Sequence, residues 1–201
     1  MHGILTDSRI LDGVETGKIK IDPFKREHLN PASYDLTLGR GVAVYHPWVE
    51  TFRDGQLVDG SRFRERAGTI DVKVEPSIER FEIDPEQGWL LKPGIGYLMH
   101  TQERVSTLSY VPILDGKSSI GRLFLQVHAT AGYGDPGFDG QYTLEVIVQH
   151  SIRVYPGMRI CQIRFHEMMG SPQQTYDKVG HYKGEAALGA TPSQAWRQFS
   201  R

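Results

Sequence analysis

The sequence predicts one mainly β domain, built as an antiparallel barrel or sandwich with a few short helices. The chain has 201 residues, enough for one sizeable core and few for two, so a single domain over residues 1–201 is expected. Short segments of strand character follow one another with glycine and proline between them. The long helices that join parallel strands are missing from the pattern, which favours antiparallel pairing.

A short helix is expected first, and strands follow it. Thr6 can cap a helix through residues 8–16, and Gly17 can end it. The final Gly/Ala/Pro/Ser stretch, residues 184–193, could be a linker, a disordered end or a lid. The predicted strand segments are 34–39, 41–45, 69–74, 88–92, 96–105, 110–114, 123–130, 141–149, 152–156 and 159–165.

Composition narrows the class of protein. The chain carries 23 basic and 24 acidic residues, so its net charge of -1 provides no overall field that would attract nucleic acid or an anionic membrane. Neither a membrane-length apolar run nor a secretory signal pattern is found, so a cytoplasmic protein is expected. The single cysteine, Cys161, allows no intrachain disulfide and no multi-cysteine zinc site, and its strand-like surroundings predict a buried apolar role.

Two polar segments are the candidates for chemistry, and the first is GKSSIGR, residues 116–122. Lys117 and Arg122 provide cations, Ser118 and Ser119 provide hydrogen-bond donors, and glycine lets main-chain N–H groups approach an anion. A phosphate cradle is therefore plausible. The spacing is not that of a Walker A motif, so a polar turn remains the alternative.

The second segment is TAGYGDPGFDGQYTLE, residues 130–145. Asp135 could close an Asx turn on its own backbone, or it could face a sugar hydroxyl, a metal-bound water or a phosphate. Period-two alternation places Thr143, Glu145 and Ile147 on one face of a strand, so Glu145 lies within the strand. It is either an exposed-face residue or a carboxylate held in a pocket. The histidines show no metal-ligand spacing, and no protein metal site is assigned.

These motifs carry a family resemblance. In order along the chain, GKSSIGR, H-x-TAG-x-x-DPGF-x-G-x-x-TLE and YPGMRICQI resemble the dCTP deaminases, a branch of the trimeric dUTPase superfamily that includes bifunctional dCTP deaminase/dUTPases. LTDSRI and NPASYDLTLG resemble the N-terminal segments of that family, so the likeness covers nearly the whole chain. It implies a distorted, jelly-roll-like β-barrel, a homotrimer with active sites between subunits, and dCTP or dUTP as ligand. Residues 176–201 are then a candidate lid over the nucleotide.

The resemblance also implies a role for each matching residue. Glu145 matches the general acid/base of the family, and Ser118 and Arg122 match the pair that positions water and substrate. The implied substrate contacts are Lys117, Ser118, Ser119, Ile120, Gly121 and Arg122 for the triphosphate, Ala131 for the cytosine amino group, Asp135 for deoxyribose or water, Thr143, Leu144 and Glu145 for the base, and Gln162 for phosphate.

Departures from the family pattern accompany the matches. Lys117 stands where members commonly carry arginine, so the charge is kept and bidentate phosphate geometry is lost. Near the C-terminus, Tyr176 matches, whereas His181 and Glu185 stand where the family has lysine and glutamine. These two replacements lower the positive charge expected around the phosphates.

The residues favour one chemical route. Zinc deaminases use His and Cys ligands with an H-x-E…P-C-x-x-C signature, which this chain lacks, so we expect no zinc and a water activated by Glu145. Magnesium is expected to arrive with the nucleotide triphosphate. The first expectation is deamination of dCTP to dUTP and ammonia. Two alternatives remain. One is a bifunctional enzyme that yields dUMP and pyrophosphate, because Gly132 in TAGYGDPG resembles the bifunctional members of the family. The other is a regulatory nucleotide-binding trimer without turnover, suggested by His181 and Glu185.

Overall fold

The computed structural model describes residues 3–45, 52–53, 56–57 and 70–199. Short 3-10 helices lie at Arg26–His28, Gly184–Ala187 and Ala195–Phe199. The other elements of the described residues are α1 (Asp7–Glu15), β1 (Ile19–Asp22), β2 (Leu29–Asn30), β3 (Ser33–Thr37), β4 (Gly41–Tyr45), β5 (Phe52–Arg53), β6 (Gln56–Leu57), β7 (Ile78–Glu82), β8 (Trp89–Leu91), β9 (Tyr97–Thr107), β10 (Tyr110–Gly116), α2 (Ser118–Gly121), β11 (Leu125–Gln126), β12 (Asp139–Val148), β13 (Ile152–Val154), β14 (Arg159–Glu167) and α3 (Tyr176–Val179).

Antiparallel pairing connects these strands, as the sequence predicted. The larger sheet has the order β11-β12-β9-β4-β7, and β1 also pairs with β9. A second sheet has the order β10-β14-β3-β2, and the pairs β13-β8 and β5-β6 are separate. Strand β9 is therefore the centre of the larger sheet, and its neighbour β12 carries Glu145. The predicted mainly β, antiparallel architecture with a few short helices is confirmed.

The two larger sheets enclose the main core. Large side chains such as Tyr34, Tyr97 and Phe165 are completely buried. Both sheets are also joined by polar contacts, because the buried carboxylate of Glu103 on β9 accepts hydrogen bonds from the main-chain N–H of Thr37 (2.8 Å) and from its hydroxyl (2.7 Å). Hydrogen bonds to a buried charged group are among the stronger ones in proteins, so this link fixes β9 relative to β3.

Helix α1 matches its prediction within one residue. It spans Asp7–Glu15, with Thr6 at the N-cap position, but the Thr6 hydroxyl bonds Ser8 (3.1 Å) and caps no main-chain N–H group. Gly17 follows the helix with φ 72°, a conformation that glycine adopts readily and that ends the helix. Cys161 is buried in the core, as predicted, and burial raises the pKa of its thiol.

Two strand predictions were wrong in part. Thr69 of segment 69–74 lies outside the described residues, and residues 70–74 form a turn closed by the Val74 N–H and the Asp71 carbonyl (3.0 Å). In segment 123–130, only Leu125–Gln126 pair as a strand, because Phe124 adopts φ 55° and interrupts the extended backbone. Strands β1, β2, β5, β6 and β7 were not predicted. Every helix in the described part of the chain is too short or too polar to cross a bilayer.

Candidate active site

Strand β12 places Glu145 at the wall of a cavity. Thr143 and Glu145 are half-buried on one face, and Leu144 and Val146 are fully buried on the other, which confirms the predicted alternation. The Glu145 Oε2 atom accepts a hydrogen bond from the main-chain N–H of Ala129 (2.9 Å). Among the residues that the structure describes, no partner is found for its other oxygen, Oε1. The carboxylate is thus oriented by one oxygen while the other remains able to bind a ligand or a water.

The cavity beside Glu145, called the Glu145 cavity below, has a volume of about 610 Å³. This size lies within the range of small-molecule sites, which is roughly 300–1,000 Å³. Its lining combines aromatic rings with hydroxyl, amide and carboxylate groups, as expected of a site for a polar heterocycle. The polar and aromatic members include Tyr45, Asp135, Phe138, Gln141, Tyr142, Thr143, Glu145, Tyr176, Tyr182, Thr191 and Ser193.

A β-bulge directs one aromatic ring towards this cavity. The register of β12 on β9 shifts between Gln141 and Thr143, and the Tyr142 N–H donates to the Thr101 hydroxyl (3.0 Å) instead of to a strand partner. The Tyr142 ring centroid lies 4.9 Å from that of Phe138. Burial raises the pKa of Tyr142, so its hydroxyl stays neutral at ordinary pH. Strict alternation would place Tyr142 on the strand face opposite Glu145, so the bulge supplies an aromatic wall that the pattern does not predict.

The C-terminal segment of the same chain covers part of the cavity. The Thr143 hydroxyl donates to the Gly189 carbonyl (3.1 Å) and accepts from the Thr191 N–H (3.2 Å). The Gly189 N–H donates to the Gln141 side chain (2.9 Å). Gly140 leaves no room for a side chain here, because a Cβ atom would lie 2.2 Å from the Ala187 carbonyl oxygen. Residues 187–191 are therefore seated directly on β12.

Other expected C-terminal contacts differ in their placement. Tyr176 lines the Glu145 cavity, and its ring packs edge-on against Phe138 at 5.6 Å. His181 and Glu185 are exposed and do not line it. Tyr182 lines it and accepts a hydrogen bond from the Gln194 N–H (3.0 Å).

The GKSSIGR segment lies apart from the Glu145 cavity within one chain. Ile120 anchors α2 in the core, whereas Ser118, Ser119, Gly121 and Arg122 are exposed and line no part of that cavity. One chain therefore presents the Glu145 carboxylate in a cavity and, apart from it, the short helix α2, which carries serine hydroxyls at its start and is followed by Arg122.

Lys117 and Gln162 make their contacts inside the fold. The Lys117 Nζ atom lies 2.5 Å from Oδ1 of Asp35, a residue only 1% exposed. The Gln162 side chain donates to the Gly116 carbonyl (3.0 Å) and accepts from the Ser33 hydroxyl (2.9 Å). Sequence reasoning had considered both side chains for phosphate, and it gave no role to Asp35.

The sequence profile of a family described as dCTP deaminase-like matches residues 4–168. The chain belongs to this family. A "dCTP deaminase, dUMP-forming" of Clostridium botulinum (strain Alaska E43 / Type E3) is 39% identical over an alignment of 197 residues that covers 96% of this chain and 99% of the relative. A protein of the same name from Leptospira biflexa serovar Patoc (strain Patoc 1 / Ames) is 39% identical over 198 residues, 98% of this chain and 99% of the relative.

A solved structure supports the fold of this dCTP deaminase-like chain. The 2'-deoxycytidine 5'-triphosphate deaminase from Agrobacterium tumefaciens superposes with a TM-score of 0.59 at 24% identity, covering 83% of this chain and 49% of that chain. The resemblance given by the motifs is thus confirmed at the level of family and fold.

The remaining residues expected from the dCTP deaminase-like pattern lie close to Glu145 in the fold. Ala131 lines the cavity and is exposed, whereas the Leu144 side chain is buried in the core, so only its main chain can face a ligand. Asp135 lines the cavity and also borders a neighbouring one of about 490 Å³. The turn after it is closed by the Phe138 N–H and the Asp135 carbonyl (3.1 Å), a main-chain bond.

Sequence reasoning missed several cavity residues of this dCTP deaminase-like chain. Tyr45, Thr191 and Ser193 come from distant parts of the sequence, and no local pattern marks them. Ala129, whose N–H orients Glu145, lies just before the TAG motif. It contributes through its main chain, so only its position next to that motif could have indicated a role. In the described residues, no group of three or more His, Cys, Asp or Glu side chains is arranged to hold a metal ion.

Proposed function

We propose that the protein is a dCTP deaminase that forms dUMP, consuming two waters and releasing ammonia and pyrophosphate. The observation that carries the proposal is the Glu145 carboxylate, oriented by the Ala129 N–H at the wall of the Glu145 cavity. Relatives that match over almost their full length are named dUMP-forming, which favours the bifunctional alternative over release of dUTP. The predicted cytoplasmic location, with no nucleic-acid or membrane partner, accompanies this proposal.

In the deamination step, Glu145 is the general base. Its Oε1 atom takes one proton from a water that attacks C4 of cytosine, and the carboxylate delivers that proton to N3. The same carboxylate then takes the remaining proton from the new C4 hydroxyl and delivers it to the departing amino group. The C4–N bond breaks, ammonia leaves and the uracil carbonyl forms. The Ala129 N–H holds Oε2 during these transfers, so the carboxylate keeps one orientation throughout. Ala131 lines the cavity, and its main chain is the proposed contact for the exocyclic nitrogen.

In the second step, a water hydrolyses the phosphoanhydride bond between the α- and β-phosphates of dUTP, which gives dUMP and pyrophosphate. Asp135 is the proposed residue that orients this water, because its carboxylate lines the Glu145 cavity and is solvent-accessible. Magnesium enters as part of the nucleotide substrate, since Mg²⁺ usually binds through substrate phosphates and a few carboxylates.

The separation of Glu145 from the GKSSIGR segment within one chain supports a homotrimer with sites between subunits. Ser118 and Arg122 face solvent, so a neighbouring copy would have to bring them to the Glu145 cavity. Next to them, Leu123 and Phe124 are 50% and 60% exposed, an apolar surface of the kind that association covers. In this arrangement Ser118 would donate to the attacking water or to the developing oxyanion, and Arg122 would bind negative charge.

A product assay tests the proposed function. The purified chain is incubated with dCTP and Mg²⁺, and ammonia, dUTP, dUMP and pyrophosphate are measured separately. Equal amounts of ammonia, dUMP and pyrophosphate without free dUTP are expected. Accumulating dUTP would instead support the monofunctional deaminase, and nucleotide binding without any product would support the regulatory trimer. Sedimentation of the same preparation gives the number of subunits.

A further inference from the structure

The buried carboxylate of Asp35 has no part in the chemistry described so far. It lies on β3 with 1% of its side chain exposed. Its Oδ1 atom accepts from the Lys117 ammonium at 2.5 Å and from the Asn30 amide at 2.8 Å, and its Oδ2 atom lies 3.6 Å from the Arg159 guanidinium. A carboxylate removed from water is costly unless it is paired and hydrogen-bonded, and Asp35 meets both conditions.

This carboxylate sits beneath the start of the GKSSIGR segment. Lys117 is the residue immediately before α2, and the ion pair of its side chain with Asp35 attaches this end of the helix to β3. The preceding residue is also held, because the Gln162 amide donates to the Gly116 carbonyl at 3.0 Å. Gln162 and Asp35 face each other across the β14–β3 pair, so the two attachments share one rigid base.

The two cations of this segment, Lys117 and Arg122, have different surroundings. The Lys117 side chain is 19% exposed, and its ammonium already lies against a buried carboxylate. A phosphate group would have to compete with that carboxylate for the same cation. Arg122, at the end of α2, is exposed, and it forms no ion pair with the other described residues. Arg122 is therefore available to bind an anion, whereas the Lys117 ammonium is already paired with the Asp35 carboxylate.

We propose that Asp35 is a positioning residue: through its ion pair with Lys117 it fixes the start of α2, and so the placement of Ser118 and Arg122 at the reacting nucleotide. The inference rests on the proposed function, because it assigns a role within that same active site. It predicts that Lys117 acts through Asp35 and not as an independent phosphate ligand.

A double-mutant cycle on the full-length protein tests this role. Asp35→Asn, Lys117→Met and the double variant are compared with the unmodified chain for ammonia release from dCTP. Each single change is expected to lower kcat by about 10²-fold, the effect of a small misplacement of catalytic groups. The double variant should be no slower than the slower single variant, because both changes break one contact. Lys117→Arg keeps the ion pair and should restore most of kcat.

Matched measurements separate this role from simple loss of structure. Asp12→Asn removes an exposed carboxylate from a helical ion pair (Arg9 to Asp12, 3.5 Å) and should leave kcat and KM within twofold. All rates are taken at a temperature where circular dichroism shows each variant to be folded. If Asp35→Asn does not fold, Lys117→Met alone decides: a fall in kcat supports positioning.

The opposite pattern would overturn the inference. A Lys117→Met variant with raised KM and unchanged kcat, or effects of the two changes that multiply, would make Lys117 a phosphate ligand independent of Asp35. Failure of the proposed function would look different, since the unmodified chain itself would then release no ammonia.

Discussion

Replacing Glu145 by glutamine removes the proposed base and little else. The single hydrogen bond that the structure gives this side chain runs from the Ala129 N–H to Oε2 at 2.9 Å, and an amide oxygen can accept it equally well. Side-chain size is unchanged. Losing one such hydrogen bond would cost only about 1 kcal/mol, so keeping it holds the change in unfolding free energy below that value. Affinity for dCTP should stay within a few-fold.

Catalysis should respond very differently. A positioned general base is worth about 10²–10⁴ in rate, so kcat for ammonia release should fall by that factor, which is about 3–5 kcal/mol of activation free energy. Ammonia is followed with an enzyme-coupled assay, and dCTP binding is measured by calorimetry on the same preparation. Glu15→Gln, on the exposed face of α1, is the matched control and should change neither quantity. Turnover by Glu145→Gln within threefold of the unmodified chain would refute the assignment.

Three further changes test other parts of the structure. Burial lowers the pKa of His100 from its usual 6.5, and its Nε2 accepts from the Gly41 N–H (3.0 Å), so the unfolded chain binds the proton more readily. The neutral, buried His100 therefore stabilises the folded chain above pH 6.5, and this stabilisation is lost as the pH falls towards the lowered pKa. Measured by calorimetry, Tm should drop below pH 6.5, and it should drop less in His100→Gln. Equal drops in the two proteins would contradict this role of His100. Gly140→Ala puts a Cβ atom 2.2 Å from the Ala187 carbonyl oxygen and should therefore release the C-terminal segment from β12. Limited proteolysis of that segment should become faster, and KM for dCTP should rise. An unchanged cleavage rate would indicate that the segment stays in place. Asp135→Asn should retain ammonia release and accumulate dUTP in the product assay, and an equal loss of both steps would contradict a role in the second hydrolysis alone.

Local alternation predicted strand β12 correctly but was wrong for another segment. In β12 the apolar positions Leu144 and Val146 are buried, as the period-two pattern required. Ile70, Val72 and Val74 show the same alternation, yet they are 44%, 50% and 59% exposed and form a turn. A strand needs a partner for its N–H and C=O groups, and the pattern of side chains does not say whether one is present.

Partners also explain why two strands, β1 and β7, were missed. Strand β1 has only four residues and pairs with the end of β9, so most of its stability comes from a neighbour far away in sequence. Strand β7 is a largely exposed strand that pairs with β4 at the end of the larger sheet. Its sequence, IERFE, places charged residues between apolar ones, which is typical of edges and gives a weak local signal.

The sequence alone determined the antiparallel β class, the strand face shared by Thr143 and Glu145, and the family, because each depends on residues that lie close together along the chain. Tertiary structure alone decided that a bulge turns Tyr142 towards the cavity, that Lys117 pairs with Asp35, and that residues 187–191 return to β12. The physical reason is distance along the chain. Lys117 and Asp35 are separated by 82 positions, and such contacts follow from the packing of whole sheets, which leaves no periodic trace in either local segment.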